Sequence, residues 1–288
     1  MEKREYGTTG EMLSMIGFGG IVARDTTPEE ASQRVKFAID QDINYFDVAP
    51  GYGTAEECLG PALEPYRKDV FLACKTGKRD KAGAREELER SLKRLRTDHF
   101  DLYQLHAMKT WEDFDEATGP NGALETFKEA REAGQVRYLG FSAHSEEVAL
   151  ALMDAFDFNS VLFPLNWVNY LQADFGPRVV EKATSKGMGK LALKALAKGL
   201  VPKGEARPYD SCWYEPVDDP ELAKLALRFT LSQPITAAIP PGDPGLFEMA
   251  VKLAQDFTPI EEQEIAFLKD QAAQVTPLAS GDWLQPAR

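Results

Sequence analysis

No stretch of the chain approaches the roughly 18 consecutive apolar residues that a membrane-crossing helix needs. The opening segment, MEKREYGTTGEML, also lacks the apolar centre of a secretory leader. The expectation is a soluble, cytoplasmic protein with no membrane partner. Cysteine is scarce and scattered. Cys58, Cys74 and Cys212 form no C-x-x-C pair and no plausible zinc cluster, so neither a disulfide framework nor a cysteine-held zinc is expected, and the thiols read as buried or idle in a reducing compartment. Basic residues are outnumbered, 33 Lys and Arg against 46 Asp and Glu, for a formal net charge of −13. That charge argues against nucleic acid and anionic lipid as partners. There is no linker, no low-complexity tract and no repeat beyond a strand–helix period, so residues 1–288 are expected to form one domain.

The chain has ample apolar material, 43% of its residues, and it is arranged in alternation. Short apolar runs (MLSMIGFGG, INYFDV, DVFLAC, FDLYQLH, QVRYLGFS, SVLFPLN, GKLALKAL, ITAAIP) are separated by helical patterns. PEEASQRVKFAIDQ should begin a helix, with Thr27 as N-cap and Pro28 at the first helical position. Residues 84–96 form an amphipathic pattern with Leu88, Leu92 and Leu95 on one stripe. Helices are also expected over 122–134, from Ser145, within 171–186 and over 219–233. Eight strands alternating with helices predict an α/β (β/α)8 TIM barrel. REYGTTGEML, with its Gly and Thr pairs, predicts a short N-terminal β-hairpin that plugs the barrel's lower end. Residues 199–219 are expected to be a long irregular loop on the catalytic face.

Three of the apolar runs end in an ionisable residue. Asp47 follows INYF, Lys75 closes VFLACK and His106 closes FDLYQLH, each about thirty residues after the last, the length of one strand plus one helix. Tyr52 lies five residues beyond Asp47. In a barrel of this kind the strand C-termini meet on one face. A phenol titrates near ~10 and is a poor acid at neutral pH, whereas a neighbouring ammonium favours the phenolate. Lys75 is the candidate ammonium, Asp47 the group that holds it, and His106 the group that orients a carbonyl oxygen or relays a proton. The set can protonate an oxygen that gains negative charge, but it cannot supply hydride, so a cofactor is required. Singly, each of these residues has an ordinary structural explanation. Their coincidence in this spacing does not.

The segments FDVAPGYGTAEECLGPAL, CKTG, SLKRLRTDHFDLYQLH and GQVRYLGFSAHS resemble the aldo-keto reductases, and the likeness runs from GFGG to the final helices. The resemblance implies NAD(P)H-dependent reduction of an aldehyde or ketone. It implies Tyr52 as general acid, Lys75 and Asp47 as its tuning pair, and His106 as the substrate-orienting residue. The cofactor-binding candidates are Gly19, Gly20, Asp47, Ser142, Asn166, Lys194, Pro240 and Gly242. Several of these positions depart from the family pattern. Ser142 is followed by Ala143 and His144 rather than Asn, Asn166 stands where the sixth strand's Gln would serve, and IPPGDPGLFEMA has no Lys or Arg where a 2′-phosphate would be gripped. NADPH is the cofactor expected, with NADH beside it.

Lys186, Lys190, Lys194, Lys198, Lys203 and Arg207 form a basic island against a single acid, Glu205, and Lys194, at a strand end, is the candidate for cofactor phosphates. Trp111, Trp167, Trp213 and Tyr214 are the candidate walls of a substrate pocket suited to apolar or aromatic carbonyls, with Trp283 in the tail. Two other readings use the same barrel: an NADPH-binding sensor or accessory subunit with little turnover, and an aldolase with Lys75 as Schiff base.

Overall fold

The computed structural model describes residues 1–280, and Trp283 lies outside them. The chain opens with a hairpin of β1 (Lys3–Glu5) and β2 (Met12–Ser14), paired antiparallel. Then follow β3 (Phe18–Gly19), α1 (Pro28–Asp40), β4 (Tyr45–Asp47), α2 (Ala55–Leu63), β5 (Phe71–Thr76), α3 (Lys81–Arg94) and β6 (Phe100–Met108). Next come α4 (Trp111–Thr118), α5 (Ala123–Glu132), β7 (Val136–Ala143), α6 (Glu146–Ala155) and β8 (Ser160–Pro164). The described chain is completed by α7 (Trp167–Ala173), α8 (Pro177–Ser185), β9 (Gly189–Leu193), β10 (Ala197–Gly199), β11 (Glu215–Pro216), α9 (Pro220–Leu231), β12 (Ala237–Ile239), α10 (Pro244–Gln255) and α11 (Glu262–Ala272).

Strands β3 to β9 and β12 pair in parallel as one sheet, ordered β12-β9-β8-β7-β6-β5-β4-β3. The seam between the first and last of these strands is closed just before β3. There Gly17 N–H donates to the Ala238 carbonyl at 2.9 Å and Ala238 N–H donates to the Met15 carbonyl at 2.8 Å. The result is the expected (β/α)8 barrel. Helix starts follow the sequence signals. Thr27 and Glu30 form a reciprocal cap on α1, and Asp80, Ser145, Asp219 and Asp243 cap α3, α6, α9 and α10 through their side chains. No described helix is long and apolar enough to cross a membrane.

The strands' two-residue period sorts side chains between two cores. Phe46, Leu72, Cys74, Tyr103 and Leu105 point outward into the layer shared with the helices. Tyr45, Phe71, Ala73, Leu102, Leu162, Leu191, Ala237 and Ile239 point inward. The hairpin delivers Tyr6 and Leu13 into this inner core, and Tyr6 is fully buried among Phe71 and Tyr138, with ring centroids at 5.1 and 5.7 Å. Its hydroxyl donates to Ser160 Oγ at 2.7 Å. The hairpin therefore plugs the lower end as expected.

Three segments differ from the sequence-based expectation. Residues 111–118 form a helix of their own, because Thr110 and Asp113 cap it reciprocally. The stretch 171–186 is divided between α7 and α8, with a break at Asp174 and Gly176, both at positive φ. The long loop is pinned at its base by the antiparallel β10–β11 ribbon, whose strands are too short to show a period.

Tyr6→Ala should destabilise the protein by about 3–5 kcal/mol through the cavity it opens in the floor. Tyr6→Phe, which removes the donor to Ser160, should cost about 1–3 kcal/mol. Urea unfolding of the two variants beside the wild type checks both values.

Candidate active site

The inward register that packs the barrel floor also carries polar residues to its upper rim. Asp47 lies two residues beyond Tyr45, Lys75 two beyond Ala73, and His106 two beyond Gln104, itself two beyond Leu102. Tyr52 arrives differently. A turn in which Tyr52 N–H donates to the Ala49 carbonyl at 3.1 Å folds the chain back over the rim. Gly53 follows at φ 55°, where a Cβ would strike the Asp25 side chain.

The Lys75 ammonium has no solvent exposure, and it donates to Asp47 Oδ1 and, at 3.3 Å, to the Val48 carbonyl. Asp47, 3% exposed, accepts on its other oxygen from Gln104 Nε2 at 2.9 Å and from the Tyr45 hydroxyl at 3.2 Å. Burial pulls the Lys75 ammonium toward neutrality, but the Asp47 carboxylate and the Tyr52 phenol outweigh it, so its pKa rises above the ordinary lysine value. Tyr52 stands against this pair, its ring centroid 5.5 Å from Lys75 Nζ and 5.7 Å from the His106 ring, which meets it edge-on.

The balance on Tyr52 differs from the expectation that Lys75 would lower it. Burial raises its pKa, the Lys75 charge opposes this only in part, and Asp47 adds to the rise. The phenol is therefore held protonated at neutral pH. His106 moves the other way. Burial, then the positive charges of Lys75, Arg79 and Lys194, depress its pKa to about 3. It is a neutral imidazole, able to donate one N–H and accept at the other nitrogen.

These residues open onto a cleft of about 330 Å³. Of the sequence-derived candidates, Gly19, Asp47, Tyr52, Lys75, His106, Ser142, Lys194, Trp213, Tyr214, Pro240 and Gly242 line it together. Ser142 Oγ accepts from Ala107 N–H at 2.7 Å, which leaves its hydroxyl proton to donate. Lys194 sits at φ 61°, its ammonium 5.5 Å from the centre of the Trp213 ring, and burial lowers its pKa to about 7.

Four candidates lie elsewhere. Gly20 faces Val48, which its Cβ would strike at 2.8 Å, rather than the cleft. Asn166 is buried as the N-cap of α7, its Oδ1 accepting from Asn169 N–H at 2.9 Å, and Leu162 is the cleft's wall from β8. Trp167 is buried in the outer core, because it opens α7 and turns under that helix. Trp111 opens α4, is 49% exposed and packs on Phe114. The aromatic wall is therefore Trp213 and Tyr214 alone among the four. The basic island is dispersed as well. Lys186 ends α8, Lys190 lies at the start of β9 near the opposite end of the barrel, Lys198 pairs with Glu215 at 2.6 Å, and Lys203 and Arg207 are exposed on the loop.

Sequence reasoning missed Tyr45, Gln104 and His144. The first two stand two residues before a named site residue, and His144, which also lines the cleft, stands two after Ser142. The inward period was the available signal. A roomier groove of about 800 Å³ lies at the strands' N-terminal ends, but its central charges satisfy one another: Arg67 donates to Asp101 at 3.0 Å, and Arg137 donates to Asp101 at 2.8 Å and also to Glu11. It offers no reacting group comparable to the upper cleft.

The profile of the Aldo/keto reductase family matches residues 15–229, and the chain belongs to that family. It is 26% identical to YqkF of Bacillus subtilis, named as an uncharacterized oxidoreductase, over 95% of this chain and 97% of that one. Among solved structures it is similar to the aldo-keto reductase AKR11C1 of Bacillus halodurans in its holo form, with a TM-score of 0.75 and 25% identity over 96% of this chain and 98% of that one. It also shares its fold with an aldo-keto reductase of Klebsiella pneumoniae solved with NADPH, with a TM-score of 0.73 and 19% identity over 100% of this chain and 97% of that one.

The His106 ring should stay neutral across the physiological range, with an NMR midpoint near 3 rather than the ordinary 6.5. Between those values the unfolded chain binds a proton that the native ring refuses. His106 should therefore contribute to a loss of stability as pH falls from 6.5 toward 3. A ring midpoint close to 6.5 would show that the imidazole is solvated instead.

Proposed function

We propose that this chain reduces an aldehyde or ketone to the alcohol with NADPH as hydride donor and NADH as a second donor. Tyr52 acts as general acid, Lys75 and Asp47 set its charge environment, and His106 orients the carbonyl. The observation that carries this reading is the Tyr52 ring 5.5 Å from the buried Lys75 ammonium and edge-on to the His106 ring at one cleft. The cofactor, when bound, supplies hydride to the carbonyl carbon. Tyr52 donates its proton to the carbonyl oxygen, and the neutral His106 ring holds that oxygen by a hydrogen bond. The Lys75 ammonium, fixed by Asp47, stabilises the phenolate left on Tyr52.

One feature supports a nicotinamide at this cleft: Ser142 lines it with its hydroxyl proton available to donate. Lys194 is proposed to bear on the cofactor's anionic portion, and Trp213 and Tyr214 on the substrate. Segment 239–250 has no Lys or Arg, and Asp243 caps the helix there, which is why NADH stays in the proposal. The Schiff-base reading fits poorly, because a lysine ion-paired to Asp47 with a raised pKa is a weak nucleophile.

Tyr52→Phe should lower kcat on a panel of aromatic aldehydes by about a hundred- to ten-thousandfold while leaving cofactor affinity intact. Turnover that survives the loss of the hydroxyl refutes Tyr52 as the acid. Tight cofactor binding by the wild type with no turnover of any carbonyl would support the sensor or accessory reading in its place.

Lys194→Ala should weaken cofactor binding and flatten its salt dependence. In the wild type, affinity should fall as pH rises through about 7, because the ammonium that attracts the anion is lost there, and the variant should lack that step. Calorimetric titration over a pH and salt series checks this, and an unchanged wild-type profile in the variant rules it out.

A further inference from the structure

His106 occupies an irregular end of β6. The pairing of β6 with β7 is regular up to Leu105 and Phe141, then slips before Met108 pairs with Ala143. Ala107, inside the slip, takes φ 55°, a left-handed conformation that an alanine adopts only when its surroundings require it. Two contacts impose it. Ala107 N–H donates to Ser142 Oγ at 2.7 Å, and the His106 carbonyl accepts from Arg79 Nη2 at 2.8 Å.

Arg79 stands on the loop between β5 and α3, and its orientation is fixed. Its Nε donates to Asp113 Oδ1 at 2.8 Å, and its Nη1 reaches the Gly77 carbonyl at 3.4 Å. Asp113 is fixed in turn. Its Oδ2 accepts from the Lys109 and Thr110 amides at 3.0 and 3.2 Å, and its own amide donates to Thr110 Oγ1 at 3.0 Å. The arginine side chain is 12% exposed and the aspartate 23%, so the pair is shielded more than an ordinary surface ion pair. The guanidinium spans the gap between the end of β5 and the end of β6, the strands that carry Lys75 and His106.

We infer that Arg79, oriented by Asp113, is the positioning residue for His106, holding its backbone so that the imidazole meets Tyr52 edge-on in the cleft. The inference rests on the proposed role of His106 for its catalytic consequence and on hydrogen-bond geometry alone for its structural one. The same guanidinium joins Lys75 and Lys194 among the positive charges facing His106, with Tyr52 and His144 as the other titratable neighbours. Nothing in the spacing of the sequence marks Arg79, since its partners, the Asp113 carboxylate and the His106 backbone carbonyl, lie about thirty residues further on.

The test is a double-mutant cycle read by two methods. Arg79→Met should lower kcat by on the order of tenfold to a hundredfold, the scale of a misplaced catalytic group, with cofactor affinity unchanged. Arg79→Lys, which retains a charge but not the fork, should recover only part of that loss. In a His106→Ala background, Arg79→Met should cost less than about twofold more, because the two residues act through one ring. A full additional loss in that background overturns the inference. Independently of activity, Arg79→Met should displace the His106 ring resonances and raise their titration midpoint, and unmoved resonances overturn the inference. If His106→Ala alone retains full activity, the proposed role of His106 falls while the ring resonances still decide whether Arg79 positions it. Should Arg79→Met fail to fold, Asp113→Asn, which removes the orienting carboxylate, carries the same expectations and the same refutations.

Discussion

A fully buried lysine ammonium can persist only beside a carboxylate, and a carboxylate buried with it must have its remaining lone pairs occupied. Lys75 and Asp47 meet that condition at the top of the barrel. One Asp47 oxygen takes the ammonium, and the other takes the Gln104 amide and the Tyr45 hydroxyl. Three adjacent strands, β4, β5 and β6, are thereby tied at one level by polar bonds where their lower turns are tied by apolar packing. The pair also limits which substitutions the rim can accept. Removing either partner leaves the other charge buried and uncompensated, a loss on the order of 3–5 kcal/mol for such pairs.

Burial and that pair together set the charge states of the cleft. Burial disfavours protonation of His106, and the Lys75 ammonium, with Arg79 and Lys194, adds to the effect. Because Tyr52 is half-buried beside a carboxylate as well as an ammonium, it keeps its proton. A site with a phenol that retains its proton and an imidazole that refuses one has a defined donor before any substrate arrives. In the proposed reaction the ammonium then acts where it matters, on the phenolate formed as the proton leaves, and not on the resting phenol.

The upper rim is assembled from irregular backbone laid over a regular barrel. Tyr52 lies in a turn completed by Gly53, His106 precedes a residue in left-handed conformation, and Lys194 itself adopts one. Each irregularity re-aims a side chain that a continuing strand would send elsewhere. The long loop after β10 follows the same logic on a larger scale: its ribbon base brings Trp213 and Tyr214 to the cleft wall, whereas Trp111 and Trp167, at the starts of helices, are carried away from it. The wall is thus narrower in aromatic content than the count of tryptophans implies.

The eight strands, most of their helices and caps, the plugging hairpin and the membership of Asp47, Lys75 and His106 in one rim were legible in the sequence. They depend on local chemistry and on a period of two or 3.6 residues that any reader of the chain can follow. Tyr45 and Gln104, two residues before Asp47 and His106, and His144, two after Ser142, were legible by the same period. Other features were decided only by the tertiary structure. They are the slip in β6, the bond from Arg79 to the His106 carbonyl, the removal of Asn166 and Trp167 from the cleft, the dispersal of the basic island and the net rise in the Tyr52 pKa. The reason is common to all of them. Burial, backbone contacts between distant segments and the sum of several charges at one point depend on distances in space, and residues thirty or more apart in the chain carry no local trace of those distances.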